Sequence, residues 1–258
     1  MNLIDTHAHI HMEQFRPDLD EVLTRAAASG VNRIIAVGCD DTDSAQAVAV
    51  ARAYENVYAT VGLHPNEATR GYEALDEVAR LARFDKVVGI GEYGLDYYRE
   101  GSDRDEQERA LRFQLELSLE LGLASVFHVR DAFEDFYRII DEYDVGGNED
   151  FRGVVHCFTA GQTEMEAAVK RGLFVALNGI MTFSKDGDQL EAARALPLDN
   201  LVLETDSPFL APKPLRGTRN EPANVAVTAA FLAQLRGEAL EDLAAATTAN
   251  AERLFGLS

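Results

Sequence analysis

Short apolar runs alternate with amphipathic stretches along the whole chain. The runs at 2–7, 33–39, 57–64, 87–92, 124–129, 153–158, 173–179 and 201–206 are nearly continuous in apolar residues. That is the pattern of parallel strands covered on both faces. The stretches at 18–30, 43–54, 72–84, 104–122, 132–143, 163–172, 188–196, 224–237 and 240–256 carry apolar residues at helical spacing. About eight β–α units result, spaced by about 25–35 residues, which predicts an α/β fold of the (β/α)8 TIM-barrel type. A doubly wound open sheet would place a glycine-rich phosphate turn after its first strand. Here that place holds DTHAHIH. No linker or low-complexity tract interrupts the alternation, so residues 1–258 are read as one domain.

In such a barrel the C-terminal ends of all strands meet at one mouth, where active sites sit. Of the six histidines, His7, His9, His64, His128 and His156 fall at or just beyond a predicted strand end, and His11 lies further into its loop. Glu92 closes the fourth predicted strand and Asp206 the eighth. His7 and His9 stand two apart on a strand, so they point the same way and one cation can take both. His128 and His156 can share a second cation. Glu92 stands between the groups, and a carboxylate can bridge two metals about 3.5–4 Å apart. Asp206 can ligate one metal and hold the attacking water. The competing readings are solvated loop histidines, an arginine ion pair for Glu92 and a helix N-cap for Asp206. Imidazole and carboxylate donors suit Zn²⁺, Mn²⁺ or a similar ion, Mg²⁺ included. Two divalent ions, with Asp206 and Glu92 in catalytic roles, point to metal-assisted hydrolysis.

Around these residues the roles are less determined. His64 either donates a hydrogen bond to substrate or is a structural histidine before Pro65. Arg130 sits at the expected mouth. Arg216, Arg219 and Asn220 lie in the loop after the eighth strand, where barrels often hold phosphate. For each, the alternative is a salt-bridged or solvated loop. His11 is expected at the rim of the substrate cleft. Cys157, next to His156, is expected to face the helix layer, and Cys39 to be buried packing. Two cysteines make no disulfide framework.

Charge narrows the partners. The net charge is −20, with 20 Arg and 4 Lys. That excludes a broad cationic surface for duplex nucleic acid, whose phosphates dominate affinity. It leaves room for one cleft made positive by a few arginines and bound cations. No apolar run approaches the ~18 residues of a membrane span, and the N-terminal stretch lacks a signal-like apolar core. A cytoplasmic monomer with no membrane partner is expected.

The blocks DTHAHI, GLHP, GEYGLDYY, HVRDA, HCFTAG, ETDSPFLAP and RGTRNEPA follow one another in this order over nearly the whole chain. Together they resemble the TatD family of metal-dependent deoxyribonucleases, within the wider metal-dependent hydrolase superfamily. The resemblance implies a barrel and a binuclear site. His7, His9, Glu92 and Asp206 would hold the first metal, and Glu92, His128 and His156 the second. It also implies hydrolysis of DNA phosphodiesters, as a 3′–5′ exonuclease on single strands. Two departures are visible: Ala124-Ser125 stands where the family usually has a proline, and His11 has no usual counterpart. The same metals could instead cleave another ester or amide, such as that of a D-aminoacyl-tRNA. Amidohydrolase barrels often bridge their metals with a carboxylated lysine, and no lysine ends a strand here, which weakens a small-amide reading. A non-enzymatic scaffold is disfavoured by the complete ligand set.

Overall fold

The computed structural model describes residues 1–98, 103–148 and 150–257. Eight strands lie parallel, each beside the next in chain order: β1 (Leu3–Ala8), β2 (Val31–Val37), β3 (Val57–Val61), β4 (Val87–Asp96), β5 (Ala124–Arg130), β6 (Gly153–Val155), β7 (Phe174–Leu177) and β8 (Leu201–Leu203). The helices between and after them are α1 (Leu19–Ala28), α2 (Asp41–Ala53), α3 (Gly71–Leu81), α4 (Arg104–Leu121), α5 (Phe133–Asp141), α6 (Gln162–Lys170), α7 (Gly187–Ala195), α8 (Val225–Arg236) and α9 (Leu240–Phe255). The expected TIM-type barrel is the fold. Helix ends follow local chemistry. Asp40 and Asp103 accept backbone N–H groups at the starts of α2 and α4, and Gly122 ends α4 in the left-handed conformation.

Strand side chains separate into two apolar layers. Leu3, Ile34, Val57, Ile90, Phe127 and Val175 face the helices. Ile4, Ile35, Val37, Val126, Val154 and Val202 form a second cluster that ends on Leu254 and Phe255 of α9. Each fully buried side chain of this size contributes about 1.5–3 kcal/mol. α9 sits at the N-terminal ends of the strands: Thr248 donates to the Asn2 carbonyl, and Asn250 to the Leu201 carbonyl. It closes the end of the barrel opposite the mouth.

The join between β1 and β8 shapes the site. β8 ends at Leu203, yet the chain beyond it stays bound to β1. Asp5 accepts from the backbone N–H of Thr205 (2.9 Å) and from its hydroxyl (2.6 Å). Asp206 N–H donates to the His7 carbonyl (2.8 Å), and His9 N–H to the Ser207 carbonyl (2.7 Å). Barrel closure and placement of Asp206 are therefore one event. The largest departures from the expected strand limits lie at the mouth. β3, β6 and β8 stop three residues early, where the chain turns to carry its polar groups, and β4 continues four residues past Glu92.

Candidate metal centre

His7 and His9 leave β1 fully inside the mouth, 0% and 3% exposed. His7 Nε2 lies 3.3 Å from Glu92 Oε2 and 3.7 Å from Asp206 Oδ1. His9 Nε2 lies 3.3 Å from the same Asp206 oxygen. The other ring nitrogen of His9, Nδ1, is 2.8 Å from the Val37 carbonyl. A carbonyl only accepts, so Nδ1 carries the proton and Nε2 is left as the donor atom for a cation.

Glu92 does not close its strand. It is the extra residue of a β-bulge: Gly91 pairs with Val126 and Tyr93 with Phe127, leaving Glu92 unmatched. Bulges re-aim side chains in this way. Gly91 sits at φ 146°, and a Cβ there would come within 2.6 Å of the Val126 side chain, so only glycine fits. The Glu92 N–H then bonds the Gly38 carbonyl (3.1 Å), and its carboxylate turns into the mouth.

On the far side of Glu92, His156 Nε2 approaches Oε2 at 2.8 Å, and the His156 ring stacks on His7 with centroids 3.9 Å apart. His128 Nδ1 lies 3.3 Å from His156 Nε2, while its Nε2 faces Asp96 Oδ2 at 3.1 Å. Behind His156 stands Glu204, fully buried, with Oε1 3.7 Å from Nδ1. Glu204 is held by the Cys157 N–H (2.7 Å) and the Asn178 amide (3.0 Å). Asp96 and Glu204 stand against His128 and His156, and the sequence reading passed over both. Both lie inside quoted motifs, GEYGLDYY and ETDSPFLAP, and an acid after an apolar run at the mouth was the available signal.

Several buried polar atoms here lack a hydrogen-bond partner: both ring nitrogens of His7, Glu92 Oε2, His156 Nδ1 and Glu204 Oε2. Orphan polar atoms are costly and rare in native proteins. Here they converge, among four buried or nearly buried acids, with donor atoms of His7–His9–Asp206 and of His7–Glu92–His156 all within 4.8 Å. A divalent cation satisfies both the orphan donors and the excess negative charge, and the nitrogen and oxygen donors fit it. The electrostatics agree. Burial raises the Glu92 carboxyl, but His156, His64 and His7 outweigh it and hold Glu92 well below the usual carboxylate range. Asp206 is likewise kept ionised against burial by His9 and His7. Burial pulls His9 down, yet Asp206 and Glu92 push it up to about 9.

A cavity of about 520 Å³ opens over these groups, lined by His9, His64, Glu92, His128, Arg130 and Asp206 among others. His64 has a structural contact and also lines the cavity. Its Nδ1 accepts the Asn66 N–H (3.1 Å), which caps a 3₁₀ turn, and this leaves a protonated Nε2 at the cavity, 3.8 Å from Glu92 Oε1. Burial pushes its pKa down to about 3, so it stays neutral.

The other candidate positions have different surroundings. Arg219 is bound by Asp18 and Glu221 (2.7 and 2.9 Å) and does not line the cavity. Arg216 lies over Phe183. Asn220 is fully buried and donates to the Thr205 carbonyl, which makes it a brace of the loop. In so acidic a protein, nearby carboxylates capture loop arginines first. His11 is 4% exposed, not at the rim, with Nε2 2.9 Å from Asp43. Cys157 lines the cavity, because strand alternation has ended by Val155 and the residue takes φ 47°. Cys39 also lines it, and its thiol donates to Glu92 Oε1 (3.3 Å).

A sequence model of TatD-related DNases matches residues 4–256. The chain belongs to the TatD-related DNase family. It is similar, at 39% identity over 99% of this chain and 100% of the other, to an uncharacterised metal-dependent hydrolase, YabD, of Bacillus subtilis (strain 168). It is 37% identical, over 99% and 100%, to the 3′-5′ ssDNA/RNA exonuclease TatD of Escherichia fergusonii. Among solved structures, the TatD homologue YjjV of Escherichia coli K12 superposes with a TM-score of 0.93 at 30% identity, covering 99% of this chain and 98% of that one. As a TatD-family chain with these ligand clusters, the protein is a metal-dependent hydrolase acting on ester bonds.

Proposed function

We propose that this protein is a 3′–5′ exonuclease on single-stranded DNA, working with two divalent cations. The observation that carries the reading is the bulged carboxylate of Glu92 between two imidazole pairs, His7 with His9 and His128 with His156. His7, His9, Asp206 and Glu92 would hold one cation, and Glu92, His128 and His156 the other. Zn²⁺, Mn²⁺ and Mg²⁺ are the candidates. The chemistry such cations would supply there is polarisation of a phosphoryl oxygen and acidification of a bound water. The relatives named as exonucleases support a phosphodiester substrate.

The residues divide the remaining work. Asp206 is ionised and open to the cavity, so it accepts the proton of the attacking water. His64 presents a neutral Nε2–H to a substrate oxygen. Arg130 is the one Arg or Lys, among the described residues, that lines the cavity, and it positions a phosphate.

The test strips the protein with chelator and restores Mg²⁺, Mn²⁺ or Zn²⁺ singly. Labelled single-stranded DNA, duplex DNA and charged tRNA are then offered to wild type and Asp206→Ala. The expected result is metal-restored shortening of the single strand from its 3′ end, lost in Asp206→Ala. Hydrolysis of charged tRNA with no DNA cleaved under any metal would replace this reading with ester hydrolysis.

A further inference from the structure

A second cavity, of about 590 Å³, adjoins the first and shares Val129, Arg130 and Thr159 with it. The two form one trench from the metal centre out between the chain segments after β5 and β6. Each is of a size that takes a small organic group. At the junction, the Arg130 guanidinium lies 3.6 Å from the centre of the Tyr98 ring. Tyr98 is 60% exposed, one of few large hydrophobic side chains left so open among the described residues. The pair is braced from behind. The Tyr98 N–H bonds Asp96 Oδ1, Asp96 Oδ2 faces His128, and the Tyr97 N–H bonds the Arg130 carbonyl. Among the described residues, Arg130 takes part in no ion pair, unlike Arg219.

We propose that this trench holds the strand upstream of the scissile phosphodiester, and that a base lying outside the metal cavity stacks on the Arg130–Tyr98 pair. This deepens the exonuclease reading and rests on it. Stacked aromatic and guanidinium planes bind bases of any sequence through their faces. A duplex base already has neighbours on both faces, so the platform selects single strands. The rest of the lining favours bases over phosphates. Asp131, Glu134 and Glu164 border the outer cavity, and carboxylates repel phosphates but accept from base amino groups.

The test compares wild type, Tyr98→Ala and Tyr98→Phe, metal-loaded, on a dinucleotide and on a ten-nucleotide single strand. Tyr98→Ala should lower kcat/KM on the long strand by about 5- to 100-fold, mostly through KM. The dinucleotide, too short to reach the platform, should be unaffected, and Tyr98→Phe should restore the long-strand value. A second readout needs no turnover. A strand blocked by 3′-terminal phosphorothioates carries 2-aminopurine at its third nucleotide from that end. Its fluorescence should be quenched by wild type and Tyr98→Phe, and not by Tyr98→Ala. Equal losses on both substrates, or no loss and unchanged quenching in Tyr98→Ala, would overturn the platform while leaving the nuclease reading intact. If wild type quenches the probe through Tyr98 but cleaves no nucleic acid, the platform stands and the nuclease reading falls.

Discussion

The two ends of the same barrel carry opposite chemistry. At the closed end, Ile4, Val126, Val154 and Val202 meet Leu254 and Phe255, and the buried polar groups of Thr248 and Asn250 beside them are hydrogen-bonded. At the mouth, His7, Glu92, His156 and Glu204 are packed as tightly, and several of their polar atoms have no partner. Apolar packing gains free energy from burial, while the mouth loses it to desolvation until a cation arrives. The strands join a stabilising end to a destabilised, pre-organised one, which is how barrels divide stability from function.

The strongest challenge to that division is Glu92→Gln. It removes the shared charge and should cut DNA cleavage on the order of 10³-fold, with less metal bound per chain, while metal-free Tm falls by much less than a core truncation lowers it, because Glu92 loses only its pairing with the neighbouring imidazoles. A metal-free Tm lowered as far as a core truncation lowers it would make Glu92 part of the stabilising end. Next in size, Phe255→Ala should cost about 3–5 kcal/mol in denaturant unfolding and leave kcat per folded molecule unchanged. A kcat loss at full folding would show the two ends to be coupled.

Proton linkage gives a third, smaller test. In the metal-free protein His9 is pushed up to about 9, so near neutrality it is protonated, and it must lose that proton to ligate. Metal affinity should therefore fall as pH falls below 9, by about tenfold per unit for each proton released. Calorimetric titration in two buffers of different ionisation enthalpy measures the release. Heats independent of buffer would contradict it. The smallest effect is expected from the loop arginine that stays outside the cavity. Arg219→Ala should lower stability by about 1 kcal/mol or less and leave KM for single strands unchanged, whereas Arg130→Ala should raise KM. Equal KM changes would restore the loop arginine to a substrate role.

Much of this was legible from residues alone. Strand alternation predicted the barrel because parallel, doubly covered strands must be apolar along their length. The histidines were visible as a site because they crowd the strand ends and avoid the helices. What could not be read was side-chain commitment. Arg130 and Arg219 look alike in sequence, and only the fold places Asp18 and Glu221 against one and Tyr98 under the other. Glu204 and Asp96 were overlooked for the same reason, since orienting a histidine requires knowing which histidine lies in front.

The sequence by itself determined the period, the family and the chemical types of the candidate ligands, because these are properties of residues and their spacing. The tertiary structure decided the Glu92 bulge, the seating of Asp206 against β1 and the inward turn of both cysteines. Each of those depends on hydrogen bonds between distant segments, such as Glu92 to Gly38 and Asp206 to His7, which no local pattern encodes.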